Sequence, residues 1–121
     1  MKIWIFPLIF AFLFTAPILT ESARGTGKIA SWYGGGEKLN KHTANGEVFT
    51  PEKMTCASWH YPFDTLLKVT NLSNGKSVVV RVNDRGPNKR LGRAIDLSRE
   101  AFRKIANLNQ GLIEVKIEQL A

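Results

Sequence analysis

The chain has 121 residues, 44% of them hydrophobic and 22% charged, with a net charge of +7 and one cysteine. That length accommodates one small core rather than two domains, and a lone cysteine excludes an intramolecular disulfide, so packing must hold the fold. The basic balance suits an anionic partner such as a wall polymer or a membrane surface, and serves solubility equally well.

Residues 1–22 read as a secretory signal peptide. Met1-Lys2 is positive, Ile3 to Leu19 carries no charge, and Thr20-Glu21-Ser22-Ala23 brings small and polar residues. Cleavage after Ser22 leaves a mature domain of residues 23–121. Retention as an anchor is the alternative, with an apolar run near the short limit for spanning a bilayer. Either way the domain is exported.

Residues 28–34 predict a first strand, closed by Gly34-Gly35-Gly36, a turn or a point where another segment approaches the backbone. Residues 37–53 are polar and read as a long loop, with Thr43-Ala44-Asn45-Gly46 as a turn signal. A short strand is expected within 54–60, ended by Pro62. Leu66 to Leu72 and Ser77 to Asn83 predict two strands joined through Asn74-Gly75, a strong hairpin signal. Ile95 to Leu97 suggests another short strand. Ser98 can cap a helix from Arg99 to about Leu108, with Glu100 at its positive end. Ala101, Phe102, Ile105 and Leu108 would form its buried stripe, and Asn109 or Gly111 its end. In residues 112–118, Ile113, Val115 and Ile117 alternate with Glu114, Lys116 and Glu118, a half-buried strand. Short strands, one helix and an irregular loop point to a small, mostly β barrel.

The stretch VVVRVNDRGP, residues 78–87, concentrates the chemistry. β-branched residues predict a buried strand, which Asn-Asp-Arg-Gly-Pro must end. Val78, Val80, Val82 and Asp84 share one face, so a carboxylate continues an apolar row at the strand end. At such a border partial desolvation favours a protonated carboxyl group, as an acid catalyst needs. The structural alternative is an Asx turn in which Asp84 accepts backbone N–H groups before Gly86. Glu47 alone reads as an ordinary loop acid. Asp96, between Ile95 and Leu97, needs a partner, with Arg85 and Arg93 as candidates. His60 is either a proton shuttle or a member of an aromatic cluster. Trp32, Tyr33, Trp59 and Tyr61 suit either sugar stacking or the core, and adjacent aromatics on a strand cannot both point the same way. Cys56 reads as a buried small hydrophobe. With His42 and His60 the only histidines, no metal-ligand spacing exists, and neither a metal nor another cofactor is expected. No nucleic-acid-binding motif is present.

Ala30-Ser31-Trp32-Tyr33-Gly34, Thr43-Ala44-Asn45-Gly46-Glu47, Pro62-Phe63, Val69-Thr70-Asn71-Leu72, Asn74-Gly75, the Val80 to Pro87 segment and Ile95-Asp96-Leu97-Ser98 follow in that order. Together they resemble the rare lipoprotein A (RlpA) family of bacterial cell-wall proteins over about Lys28 to Leu120. The resemblance implies a six-stranded double-psi β-barrel, a fold shared with expansins. It implies lytic transglycosylase activity on peptidoglycan glycan strands, especially peptide-stripped ones, leaving 1,6-anhydromuramic ends. It implies Asp84 as the catalytic acid with Glu47 supporting the site. Ser58, His60, Arg85 and Asp96 are further candidates for support, and Trp32 and Tyr33 for holding glycan. Ser58 stands where the family usually has histidine, with His60 two residues on. A non-catalytic, expansin-like glycan-binding module and a conventional glycan hydrolase are the alternatives. No cysteine ends the leader, so no lipid anchor is expected. The expected protein is a monomer in the periplasm or cell-wall space, without stable membrane association once the leader is removed.

Overall fold

The structure, a computed structural model, describes residues 27–36 and 41–120. The leader assigned to residues 1–22 and its cleavage point lie outside the described residues. Six strands and one helix follow in order: β1 (Lys28–Tyr33), β2 (Thr55–Ala57), β3 (Leu66–Asn71), β4 (Ser77–Asp84), β5 (Ile95–Ser98), α1 (Arg99–Ile105) and β6 (Ile113–Gln119). The strands close into a barrel in the order β1-β5-β2-β4-β3-β6. The mostly β barrel with one short helix is therefore observed.

The β3–β4 hairpin forms through Asn74-Gly75, with Thr70 opposite Ser77. β1 pairs with β5, and β2 with β4, in parallel. Parallel neighbours need long crossovers, so these pairings join segments far apart in the chain. Closure leaves no open sheet edge. Val78, Val80 and Val82 of β4 are buried with Leu67, Val69, Leu97 and Val115, and Cys56 packs among them as the small hydrophobe expected. Burial first, and then the nearby Asp96 charge, push the Cys56 thiol up to about 12, so it stays protonated and inert.

Ser98 caps α1, its hydroxyl accepting from Ala101 N at 3.2 Å, and Ala101, Phe102 and Ile105 are buried. The helix ends earlier than its apolar spacing predicts. Ala106 is extended, and Asn107 starts a separate 3₁₀ turn over Leu108–Gln110, closed by Gly111. Its side chain accepts from Asn109 N, while the Gln110 side chain accepts from Asn107 N. That reciprocal cap competes with another α turn, as Asn side chains commonly do. Leu108 still packs against the core, from the new turn. Among the described residues, no helix is long and apolar enough to cross a membrane.

Gly34 explains part of the glycine run. Its φ of +102° disfavours L side chains, and a Cβ there would lie 3.0 Å from Pro51 Cβ and 3.2 Å from the Phe49 ring. Residues 49–51 close directly onto the end of β1. Pro51 O then accepts from Glu100 N, and Lys53 O from the Ser98 hydroxyl, so the loop docks on both β1 and α1.

Candidate active site

Register places the site. Ala57 of β2 lies opposite Asp84 of β4 on one side and Asp96 of β5 on the other. Asp96 in turn lies opposite Ser31 of β1. Asp84, Ala57, Asp96 and Ser31 thus form one row across four neighbouring strands. Strand spacing separates the two aspartate backbones by about 10 Å. Ala57, the small residue between them, floors a cleft of about 390 Å³ that Tyr33, His42, Phe49, Asp84, Arg85 and Asp96 also line.

A register shift between Cys56 and Ala57 sets Asp84 into this row. Cys56 faces Val82 and Ala57 faces Asp84, so Asn83 is the extra residue of a bulge. Bulges re-aim side chains beside functional sites. Asn83, 3% exposed, reaches Glu47 with its amide nitrogen instead of continuing the alternation. Gly86 follows at a φ of +153°, and a Cβ there would meet Ala57 Cβ at 3.3 Å. The chain after Asp84 passes too close to the cleft floor for a side chain without adjustment.

Asp84 makes the contacts of a turn aspartate and also borders the cleft. Its Oδ1 accepts from Arg85 N at 2.8 Å and from Ala44 N at 2.9 Å, the backbone capture of a turn aspartate. Its Oδ2 has one long contact, 3.5 Å from the Tyr33 hydroxyl. One oxygen fixes the carboxyl group, and the other keeps capacity for another partner. Tyr33 is held in place by stacking on Phe49, with centroids 4.6 Å apart. Burial, then the Asp84 and Asp96 charges, raise the Tyr33 phenol far above its ordinary value. It remains a neutral donor at any pH the domain meets. Asp96 accepts from the Ser31 hydroxyl at 2.5 Å. Arg85, one of the two arginines expected to face Asp96, is engaged elsewhere. That guanidinium donates to Ser58 O and Tyr61 O at 2.8 and 2.9 Å and lies 3.9 Å from the Phe63 ring centre.

Glu47 occupies the far end of the same turn. Arg81 grips it with a two-point fork, Nη1 to Oε2 at 2.8 Å and Nη2 to Oε1 at 2.9 Å, and Asn83 donates to Oε1 at 3.0 Å. The Arg81 bonds foremost, then those from Asn83 and Asn45, hold its carboxyl down to about 2. Glu47 is absent from the cleft lining. It locks the Thr43–Glu47 turn, closed by Thr43 N to Glu47 O at 2.7 Å, and so aims Ala44 N at Asp84.

The other candidates divide. Ser58 is 1% exposed and acts from behind the cleft: its N donates to Asp84 O, and its hydroxyl accepts from His60 N. His60 opens onto other cavities, lined by Tyr61 on one side and Trp59 on the other, and is not in the Asp84 cleft. β2 ends at Ala57, so neither Ser58 nor His60 belongs to it, and strand alternation does not put the two on one face. Trp32 is not among the residues that line the Asp84 cleft. Its indole donates to Leu108 O at 3.1 Å, and its ring leans on Phe102, because successive strand residues point to opposite faces. His42 and Phe49 line the cleft although sequence reasoning did not select them. Both lie in an irregular loop, where periodicity assigns no face. Their place beside the Thr43–Glu47 motif was the available signal.

The closed six-stranded barrel with parallel β1–β5 and β2–β4 pairings agrees with the double-psi β-barrel that the resemblance implies. The family model described as lytic transglycolase matches residues 26–117. The chain belongs to that family. It is 52% identical over 93 residues to a probable endolytic peptidoglycan transglycosylase RlpA of Nostoc sp., covering 76% of this chain and 25% of that protein. It is 47% identical over 106 residues to the endolytic peptidoglycan transglycosylase RlpA of Rickettsia felis, covering 86% and 46%. The chain thus spans between a quarter and a half of these relatives' length. Among solved structures, apo expansin of Clavibacter michiganensis superimposes with a TM-score of 0.61 at 27% identity, over 79% of this chain and 50% of that one. A mutant of the same expansin in complex with cellohexaose gives 0.62 at 24% identity, over the same shares.

Proposed function

We propose that this domain is an exported peptidoglycan lytic transglycosylase with Asp84 as its acid/base. The observation that carries the reading is the divided coordination of Asp84: one oxygen fixed by two backbone N–H groups, the other beside a neutral phenol at a cleft. The family match and the named relatives support it.

A single acid/base suffices when the substrate supplies its own nucleophile. Hydrolases usually need a second carboxyl group for water or for a covalent intermediate. In a muramyl unit the C6 hydroxyl can attack the anomeric carbon of its own ring, which gains from proximity. Protonated Asp84 donates to the departing glycosidic oxygen as that bond breaks. The resulting carboxylate takes the C6 hydroxyl proton as the 1,6-anhydro bond forms, which restores the acid. Tyr33 donates to Asp84 and keeps Oδ2 oriented, and Asp96 across the cleft faces the positive charge that develops on the sugar ring. Glu47 and Ser58 act as positioning residues, through Ala44 and through the Asp84 backbone.

Mass spectrometry of peptide-free glycan strands after incubation tests the reading. Anhydromuramic ends are expected from the wild type and none from Asp84→Asn. Reducing ends would identify a hydrolase, for which Asp84 and Asp96 in one cleft are the structural argument. No cleavage by a folded wild type would favour the non-catalytic, expansin-like reading, to which the likeness to expansin lends support.

A further inference from the structure

We propose that the domain has a second sugar site, separate from the Asp84 cleft, in two cavities that meet at His60, and that it binds a carboxylate-bearing sugar of a glycan strand. The inference rests on the reading of this domain as a glycan-acting protein and adds to it a place where the strand's charge is recognised.

The first cavity, about 490 Å³, is lined by Lys28, His60, Tyr61 and Lys116 together with Ala94 and Ile117. The second, about 400 Å³, is lined by Trp59, His60, Lys89 and Arg93. Among the described residues, no carboxylate lines either. Lys116 has an exposed ion pair with Glu118 at 3.6 Å, but Lys28, Lys89 and Arg93 make no ion pair among the described residues. Three cations without an ion pair in the described residues leave a field that an anion would complete.

Trp59 indicates which anion. It is 46% exposed, unusual for so large an apolar ring, and yet it is fixed. Its indole nitrogen donates to Pro87 O at 2.6 Å, and the Lys89 ammonium lies 4.6 Å from its ring centre. A rigid, solvent-facing ring has little freedom left to lose on binding. Such a surface suits the flat apolar face of a pyranose, while Lys89 and Arg93 are placed for a carboxylate on the same sugar. A phosphodiester polymer offers the charge without that ring face. The position fits a strand that also reaches the catalytic cleft: Ala57 floors the cleft, Ser58 holds the Asp84 backbone, and Trp59 to Tyr61 line the new cavities.

Binding is measured on the Asp84→Asn chain, which leaves the probe uncut, by calorimetry and by the Trp59 indole N–H resonance. The probes are peptide-free glycan strands with free lactyl carboxylates, the same strands amidated, and poly(glycerol phosphate). The acid strand is expected to bind about tenfold more tightly than the amidated one, the worth of one charged hydrogen bond at the low end of its range. Trp59→Ala is expected to weaken the acid strand about tenfold. The Lys89→Ala/Arg93→Ala pair should bring it to the amidated level while leaving the amidated strand unchanged. Equal affinity for acid and amide, indifference to Trp59→Ala, or tighter binding of poly(glycerol phosphate) would each overturn the proposal. Cleavage by the wild type is read separately. Cleavage without acid selectivity removes this site alone, and acid selectivity without cleavage removes the catalytic reading alone.

Discussion

The two ends of the Thr43–Glu47 turn hold two carboxylates in opposite states. Glu47 is saturated: Arg81 takes both oxygens and Asn83 adds a third bond. Asp84 is anchored through one oxygen by neutral backbone groups, and its other oxygen has a single long contact. A carboxylate gripped by a cation resists protonation, which suits a structural tie and not an acid. One held by neutral donors beside a cleft keeps an oxygen available for another partner. Composition and charge cannot separate these two acids; the partners each one meets can.

Substitutions should separate the two corners by size of effect. Asp84→Asn is expected to cut turnover about 10²- to 10⁴-fold, the range for losing a general acid, in an anhydromuramic-end assay. Its thermal midpoint should barely move, because Asn can still accept from Ala44 and Arg85. Tyr33→Phe removes the donor at Asp84 Oδ2 and keeps the stack on Phe49. About a tenfold loss of kcat is expected, with folding intact by circular dichroism. His42→Ala tests the cleft residue that sequence reasoning overlooked. A loss of about three- to tenfold in kcat/KM is expected, and none in stability, since the side chain is exposed.

Glu47→Gln should reverse the pattern. The pair is more than a third exposed on the glutamate side, so solvent screens it. About 1 kcal/mol of stability at neutral pH is the expected loss in urea titration, with a smaller effect on turnover than at Asp84. The smallest effect is its pH dependence. Glu47 sits at about 2 in the folded domain against an ordinary 4.5. The tie therefore contributes fully above pH 4.5, and its contribution is lost as pH falls toward 2. Between those values the stability gap between wild type and Glu47→Gln should close. A gap that stays constant would assign the loss to packing and remove the ion pair from the account.

Local pattern was enough for most elements. The Asn74-Gly75 hairpin, the Ser98 cap and the alternation of Ile113 to Glu118 depend on neighbours a few residues away, and all three stand in the structure. The helix end did not follow, because the Asn107–Gln110 cap outcompeted the apolar stripe. Trp32 and Tyr33 were separable in principle, since strand neighbours face opposite ways. Which of them faced the cleft depended on where β5 and residues 49–51 lay.

The sequence by itself determined the strands, the helix start, the buried valine row and the motifs that carry the family resemblance. These follow from side-chain periodicity and turn chemistry, which act over short distances. Only the tertiary structure decided how the acids divide. The bulge at Asn83, the parallel pairing of β2 with β4 and the docking of the loop bring Ala44 to Asp84 and Arg81 to Glu47. The same packing turned His60 away from the cleft and brought His42 to it. A carboxylate's reactivity is set by the charges and donors within a few ångströms, and here those come from segments about 34 to 40 positions away, beyond the reach of any local pattern.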